Sequence, residues 1–240
     1  MASEPAPGGG GTLAGWKGAL LAGALGVLIG GGAMFAASGR FVRSYLLEHP
    51  EVLPEAMDRL QARRAAEAIV ANRAAIETPF AGAWAGAKDG DVTLVEFFDY
   101  ACTFCRRSNA DVDRLLKEDA KLKVVWREWP VLGPDSEAAA RASLAAAQAG
   151  KFRAFHDRLY AEGRPTPDAL AKTAAAVGVT PLDQAAAKEE LGKNYQLANT
   201  LRASGTPTFV VGDRIFQGAV GYDALKQAVA EARTQAGRGA

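Results

Sequence analysis

Two short runs of apolar residues, 92–98 and 122–129, lie on either side of a segment with helical periodicity, Arg106–Leu116. Runs of this length are typical of buried strands, whereas apolar residues three and four positions apart indicate a helix with one buried face. A strand, a helix and a second strand in this order predict two parallel strands joined by a right-handed crossover.

A block of helical patterns follows the second strand. It opens with turn residues and a helix cap at 133–136 and continues through an alanine-rich run, Glu137–Ala149. Four further helical runs complete the block: Phe152–Ala161, Pro167–Ala176, Pro181–Leu191 and Tyr195–Ala203.

The chain then returns to strands. Thr208–Val211 and Arg214–Phe216 flank a Gly-Asp dipeptide, which is a hairpin signal, and an amphipathic helix closes the pattern at Asp223–Thr234. The complete order predicts an α/β fold, with a mixed sheet and a helical insertion at about 135–204.

The segment 40–77 is predicted to be helical, with an interruption near His49-Pro50 and a new first turn at Pro54. Its apolar positions form a stripe opposite charged residues: Leu53, Met57, Leu60, Ala65, Ile69 and Ile76. The stripe drifts around the helix and Asn72 interrupts it, so the pattern is not a regular heptad repeat. Such a segment either docks on the domain that follows or joins subunits as an oligomerisation stalk. We favour the second interpretation.

Residues 1–17 are rich in Gly, Pro and Ala, and we expect them to be disordered. The 22 residues of 18–39 carry no charge and are framed by Lys17 and Arg40. As a helix they span about 33 Å, which is enough to cross a bilayer. The segment is therefore predicted to be a transmembrane anchor. A signal peptide cleaved after 36–38, where residues are small, is the alternative.

Charge and cysteine content exclude two classes of protein. The 240 residues carry 28 basic and 27 acidic side chains, so no broad positive field exists to hold nucleic acid. The apolar content of 49% is enough for an ordinary packed core. With two cysteines the chain is not a disulfide-stapled scaffold, and a bond between them would close a loop worth only about 2 kcal/mol. A structural role therefore explains the pair poorly.

Those two cysteines, Cys102 and Cys105, stand between the first strand pattern and the helix that follows it. This position puts Cys102 at the start of a helix, where backbone N–H groups and the helix dipole stabilise a thiolate. Cys102 is thus expected to be an exposed nucleophile, with Cys105 one turn inside the helix as the resolving thiol. Such a pair exchanges electrons with the disulfides of other proteins.

Glu96 is an ionisable residue inside the apolar run that leads to the cysteines. Strand alternation puts it on the same face as Leu94 and Phe98, which predicts burial beneath the cysteine pair. Burial raises the pKa of a carboxyl group, so Glu96 is a candidate to accept and return the proton of Cys105. The alternative is an edge position at which Glu96 faces water.

Pro207 lies in the sequence Gly205-Thr206-Pro207-Thr208-Phe209, where a strand begins. A proline there removes a backbone donor from the sheet and needs a special reason. A cis Thr206–Pro207 bond facing the cysteines would leave backbone groups of Thr206 free to pair with an extended substrate peptide. An ordinary trans proline at a strand start is the alternative.

Taken together, these motifs resemble the thioredoxin superfamily, and the helical block resembles the insertion of its DsbA branch, the bacterial periplasmic thiol:disulfide oxidoreductases. The resemblance covers roughly 80–236 and is strengthened by Phe97-Phe98-Asp99-Tyr100. It implies that Cys102 is the nucleophile, Cys105 the resolving cysteine, Glu96 the buried acid and Pro207 the cis-proline.

The sequence 45–53 is similar to the amino-terminal segment of ScsC-type members, some of which oligomerise and act as isomerases. Thr103-Phe104 stands where the best-known oxidases have Pro-His, which implies a milder oxidant. Thr206 before the proline is more typical of isomerase-like relatives.

A metal site is the remaining interpretation of the pair. Structural zinc needs four Cys or His ligands, and the two histidines, His49 and His156, are distant from the cysteines in sequence. His156 is expected to be a surface or packing residue. A two-thiolate copper(I) site stays open, because soft thiolates favour that ion.

The sequence therefore predicts a periplasmic thiol:disulfide oxidoreductase of thioredoxin-like fold, attached to the inner membrane or released by signal cleavage. Arg40 and Arg43 after the apolar segment argue for the opposite orientation, but persistent disulfide chemistry requires the periplasm. Its partners would be cysteine-containing secreted proteins and a membrane redox protein. It needs no cofactor beyond the dithiol. An oligomeric isomerase or reductase and a non-catalytic copper(I) carrier are the alternatives.

Overall fold

The structure is a computed structural model that describes residues 39, 41–180 and 184–238. The predicted disordered segment, and the predicted membrane segment apart from Gly39, lie outside the described residues. Within the described ranges, no helix has the length and apolar character needed to cross a membrane. The chain divides into two compact units, Met1–Arg59 and Leu60–Ala240.

In the first unit, helix α1 covers residues 41–48, and the chain turns at 49–51 before helix α2 (Val52–Glu77) begins. The predicted interruption near His49-Pro50 is confirmed. Six large apolar side chains in the described part of this unit are exposed to solvent: Phe41, Val42, Tyr45, Leu47, Leu53 and Met57.

The second unit is built on a five-stranded mixed sheet with the order β1-β3-β2-β4-β5. Its strands have the following bounds: β1 Trp84–Gly86, β2 Val92–Phe98, β3 Leu122–Glu128, β4 Thr208–Val211 and β5 Arg214–Gln217. Strands β2 and β3 are parallel, and the other neighbours are antiparallel. The predicted parallel pair and the predicted hairpin are both confirmed.

Six further helices complete the second unit: α3 Thr103–Glu118, α4 Pro134–Gln148, α5 Phe152–Glu162, α6 Pro167–Val177, α7 Gln184–Thr200 and α8 Tyr222–Arg238. Helices α4–α7 form the predicted insertion. The prediction of two helices at 181–191 and 195–203 is wrong, because α7 continues through Gly192. A glycine costs a helix only about 1 kcal/mol, and the burial of Leu191 and Leu197 on its two sides offsets that cost.

Both faces of the sheet are covered, which explains why β2 and β3 carry apolar residues on both of their faces. Leu94 and Phe98 of β2 pack in the core that includes α3, α5 and α8. Val95 and Phe97 pack on the opposite face with Ile69 and other residues of α2 and α7. The second unit thus includes residues 60–77, which the sequence pattern grouped with the stalk, and Ile69 and Ile76 of their stripe pack on the sheet.

Arg127 of β3 fixes the end of α2 on this second face. Its side chain is 4% exposed and donates to the carbonyls of Ile76 (2.8 Å), Ala75 and Thr78 (2.6 Å). It also donates to Asn194 Oδ1 of α7 at 2.9 Å and lies 3.6 Å from the Glu190 carboxylate. Arg127 therefore supplies donors to carbonyls that a helix end leaves unpaired.

We expect Arg127→Met to lower the free energy of unfolding by about 3 kcal/mol, because it leaves buried carbonyls of the α2 end without donors and removes the buried partner of Glu190. Denaturant unfolding of the purified protein measures this loss. Arg73→Met is the matched control. Arg73 pairs with Glu77 and Asp213 at positions that solvent partly reaches, where such pairs contribute about 1 kcal/mol or less. Equal losses in the two variants would contradict the prediction.

Candidate active site

The two cysteines lie where β2 passes into α3. Cys102 is the N-cap residue of α3, and its sulfur accepts a hydrogen bond from the Cys105 N–H at 3.3 Å. Both thiols are free, and Cys105 is fully buried inside the first turn. The expectation that Cys102 is exposed is wrong, since only 5% of its surface is accessible. The Thr206 segment causes this burial, because the Cys102 sulfur lies 3.2 Å from the Thr206 carbonyl oxygen.

The surroundings of the two sulfurs shift their pKa values in opposite directions. A hydrogen bond from the Cys105 thiol, with further ones from the Thr206 side chain and the N–H groups of Cys105 and Phe104, lowers the pKa of Cys102 to about 5. Burial, together with the thiol's hydrogen bond to Cys102, raises the pKa of Cys105 far above its ordinary value. At neutral pH the reduced pair is therefore a thiolate at Cys102 and a thiol at Cys105.

Glu96 lies in the central strand β2, between β3 and β4, and its side chain is completely buried. The alternative of an edge position facing water is wrong. The Trp126 indole N–H donates to Glu96 Oε2 at 3.0 Å, whereas Oε1 has no protein partner. Burial raises the pKa of Glu96 to about 8, with a smaller contribution from the negative charge on Cys102. Glu96 can therefore carry a proton at neutral pH and release it just above that range.

The Thr206–Pro207 peptide bond is cis, so the alternative of a trans proline is wrong. The Thr206 carbonyl lies against the Cys102 sulfur, and strand β4 begins directly after Pro207. The structure thus brings Cys102, Cys105 and Thr206 into contact from segments about a hundred residues apart.

His156 is a packing residue rather than a surface one, with 1% of its surface exposed. Its ring lies against five aromatic side chains: Phe98, Tyr100, Trp126, Phe152 and Tyr160. The helical spacing Phe152, Phe155, His156 and Leu159 already places it on the buried face of α5. In the part of the chain that the structure describes, no three Cys, His, Asp or Glu residues are grouped as metal ligands.

Two buried acids near the pair were missed from the sequence. Asp99 accepts three backbone hydrogen bonds, and Glu128 has neither carboxylate oxygen paired with protein. Burial raises the pKa of Glu128, and the charge of Asp99 adds to this effect. Strand alternation with Trp126 was the available signal for Glu128. Two of the three Asp99 partners, Val131 and Leu132, are too distant in sequence to be predicted from a local pattern.

The dithiol lies at the start of a helix, and a cis-proline segment before a strand of a mixed sheet covers it. This arrangement defines the class of thioredoxin-fold proteins. The cysteine pair is the candidate redox-active site. The comparison with known families agrees with this class. Residues 93–230 match the DSBA-like thioredoxin domain, and the chain belongs to that family. Residues 36–67 match the copper resistance protein ScsC N-terminal domain.

Among solved structures, the catalytic domain of Proteus mirabilis ScsC is similar, with a TM-score of 0.66 and 27% identity over 70% of this chain and 98% of that one. A periplasmic thioredoxin-like protein from Salmonella enterica serovar Typhimurium has a TM-score of 0.63 and 29% identity, covering 68% of this chain and 95% of that one.

Among curated proteins, disulfide bond formation protein D of Bacillus subtilis is 27% identical over 60% of this chain and 73% of its own length. The Na(+)/H(+) antiporter NhaA 3 of Salinispora tropica is 31% identical over 61% of this chain. The chain spans only 24% of the length of that antiporter.

Proposed function

We propose that this protein is a thiol:disulfide oxidoreductase that exchanges disulfides with cysteine-containing secreted proteins through Cys102 and Cys105. The observation that carries the proposal is the asymmetry of the pair. One sulfur is stabilised as an anion at a helix start, and the other is held as a thiol one turn away. Membership of the DSBA-like family supports the same activity.

The proposed reaction starts from the Cys102–Cys105 disulfide. A substrate thiolate attacks the Cys102 sulfur, the bond to Cys105 breaks, and Cys105 leaves as a thiolate that takes up a proton. The second substrate thiolate then attacks the substrate sulfur of the mixed disulfide and releases the Cys102 thiolate. Two electrons pass from the substrate to the pair, so no dissociable cofactor is required.

Glu96 is proposed as the proton donor and acceptor for Cys105. Its charge is among the causes that raise the pKa of Cys105, so the two groups interact electrostatically. A carboxyl group with a pKa of about 8 is suited to exchange a proton near neutral pH. Thr206 and Pro207 are proposed to contact the substrate peptide, because Thr206 already lies against the reactive sulfur.

The direction of exchange is proposed to be oxidation, with an oligomeric isomerase or reductase as the second candidate. The match of 36–67 to the ScsC N-terminal domain favours that candidate, and so do the exposed apolar side chains of the first unit, among them Phe41 and Leu47. A cluster of this kind on a small unit is typical of an interaction surface.

The proposed location is the periplasm, with the uncharged segment 18–39 as an inner-membrane anchor or a cleaved signal. The similarity to a periplasmic thioredoxin-like protein supports this location. A membrane redox protein is proposed to regenerate the pair.

The test combines the reduction potential of the pair with two assays on full-length protein: oxidation of a reduced protein and reactivation of scrambled ribonuclease. A potential of about −120 mV with fast oxidation supports an oxidase, and one of about −270 mV supports a reductant. The oligomeric isomerase is supported if the double variant Phe41→Asp/Leu47→Asp no longer reactivates ribonuclease and forms a smaller particle in solution. Stoichiometric copper(I) binding without any exchange would overturn the proposal in favour of a copper(I) carrier.

A further inference from the structure

Asp99 is the residue on which the segments around the cysteines converge. It follows β2 directly and is 1% exposed. Its Oδ1 accepts the Ala101 N–H at 2.7 Å, and its Oδ2 accepts the N–H groups of Val131 at 2.8 Å and Leu132 at 3.0 Å. One carboxylate therefore bridges the cysteine loop and the loop that follows β3.

The backbone of Asp99 adds two further bonds. Its carbonyl accepts the Cys102 N–H at 3.0 Å and the Tyr160 hydroxyl of α5 at 3.0 Å. The same residue thus holds the amide of the nucleophilic cysteine and the loop at 131–132. The backbone carbonyl makes the first contact and the carboxylate makes the second, so a side-chain substitution releases the loop and keeps the contact to Cys102.

The loop that Asp99 ties to the cysteine loop presents apolar side chains to solvent. Val131 is 41% exposed and Leu132 is 55% exposed, and Phe104 at the start of α3 is 52% exposed. The Tyr195 hydroxyl donates to the Pro130 carbonyl, so the loop is fixed at a second point. Fixed apolar side chains beside a reactive sulfur are arranged to contact apolar residues of a bound chain.

We propose that Asp99 is a positioning residue for substrate recognition. Its carboxylate holds Val131 and Leu132 in place to contact apolar residues that flank the substrate cysteine attacking Cys102. The inference rests on the proposed oxidoreductase activity and deepens it by naming the preferred substrate sequence.

Only an acidic side chain satisfies this arrangement. Both carboxylate oxygens accept, and hydrogen bonds from N–H groups to a charged acceptor are about twice as strong as neutral ones. In Asp99→Asn one oxygen becomes an NH₂ group that faces an N–H donor. In Asp99→Ser the short side chain still reaches the Ala101 N–H two residues on, but not the loop at 131–132.

The test measures kcat and KM for full-length protein with two dithiol peptides, one with leucine and one with serine beside the cysteine, and with dithiothreitol. For Asp99→Ser, which loses both hydrogen bonds to the loop at 131–132, we expect kcat/KM for the leucine peptide to fall about tenfold through KM. Rates with dithiothreitol and the reduction potential stay within about twofold.

Leu132→Ala should also lower kcat/KM for the leucine peptide, and adding Asp99→Ser to it should cause less than the product of the two single losses, because part of the Asp99 effect acts through Leu132. A fall by one common factor in all three reactions, or losses that multiply in the double variant, would overturn the proposal. Failure of the oxidoreductase assignment itself is distinguishable, because the unsubstituted protein would then oxidise neither peptide.

Discussion

In Cys102→Ser we expect thiol–disulfide exchange to fall to the uncatalysed rate. The only other cysteine, Cys105, is fully buried and its pKa is raised, so it cannot replace Cys102 as the attacking or attacked sulfur. A serine hydroxyl forms no disulfide and is not ionised at neutral pH. Oxidation of a reduced substrate protein, followed by free-thiol counting, measures the loss.

The matched control is Cys105→Ser, which keeps the nucleophile and removes the resolving sulfur. We expect this variant, mixed with a substrate that carries a disulfide, to accumulate a mixed disulfide that a reductant releases. The Cys102 thiolate attacks one substrate sulfur, and the other substrate sulfur leaves as a thiolate. The reaction stops there because the substrate can no longer be displaced from within the same chain. A Cys105→Ser protein that neither accumulates adducts nor slows exchange would contradict the assigned roles.

The elements around the site could be predicted because their signals are local. Each pattern fits one kind of secondary structure, as in the run 92–98, the helix that follows it and the hairpin at 208–217. The N-cap position of Cys102 follows from the same reading, because a buried strand passes directly into an amphipathic helix. The burial of Glu96 followed from alternation within one strand.

Contacts made across long stretches of chain could not be predicted. The covering of Cys102 depends on Thr206, 104 positions away, and the role of Arg127 depends on α2 and α7 folding onto the same face. Asp99 likewise contacts a loop 32 and 33 residues distant. Gly192 shows the reverse case, in which tertiary packing outweighs a local signal to break the helix. The membrane segment at 18–39 stays a prediction.

Glu96→Gln should test two roles of this buried acid separately: its effect on folding stability and its transfer of a proton during thiol–disulfide exchange. The pKa of Glu96 in the folded protein is about 8, above its ordinary value of 4.5. Its favourable contribution to the free energy of unfolding is therefore fully present below pH 4.5. That contribution is lost as the pH rises towards 8, because the unfolded chain ionises first. At pH 7 the loss amounts to about 3 kcal/mol, which glutamine avoids because it stays neutral. Urea unfolding of the reduced proteins between pH 4 and pH 8 should therefore show a declining stability for Glu96 and a flatter curve for the variant.

The same substitution should slow exchange by about a hundredfold, because glutamine accepts the Trp126 N–H but cannot take the proton of Cys105. Glu128→Gln is the matched control. Glu128 is also a buried acid with a raised pKa, on the same face of the neighbouring strand, but the largest causes of the raised pKa of Cys105 include Glu96 and not Glu128. We expect it to gain stability at neutral pH without a change in exchange rate. Equal slowing in the two variants would mean that a buried negative charge, rather than a proton carrier at Glu96, is what the reaction needs.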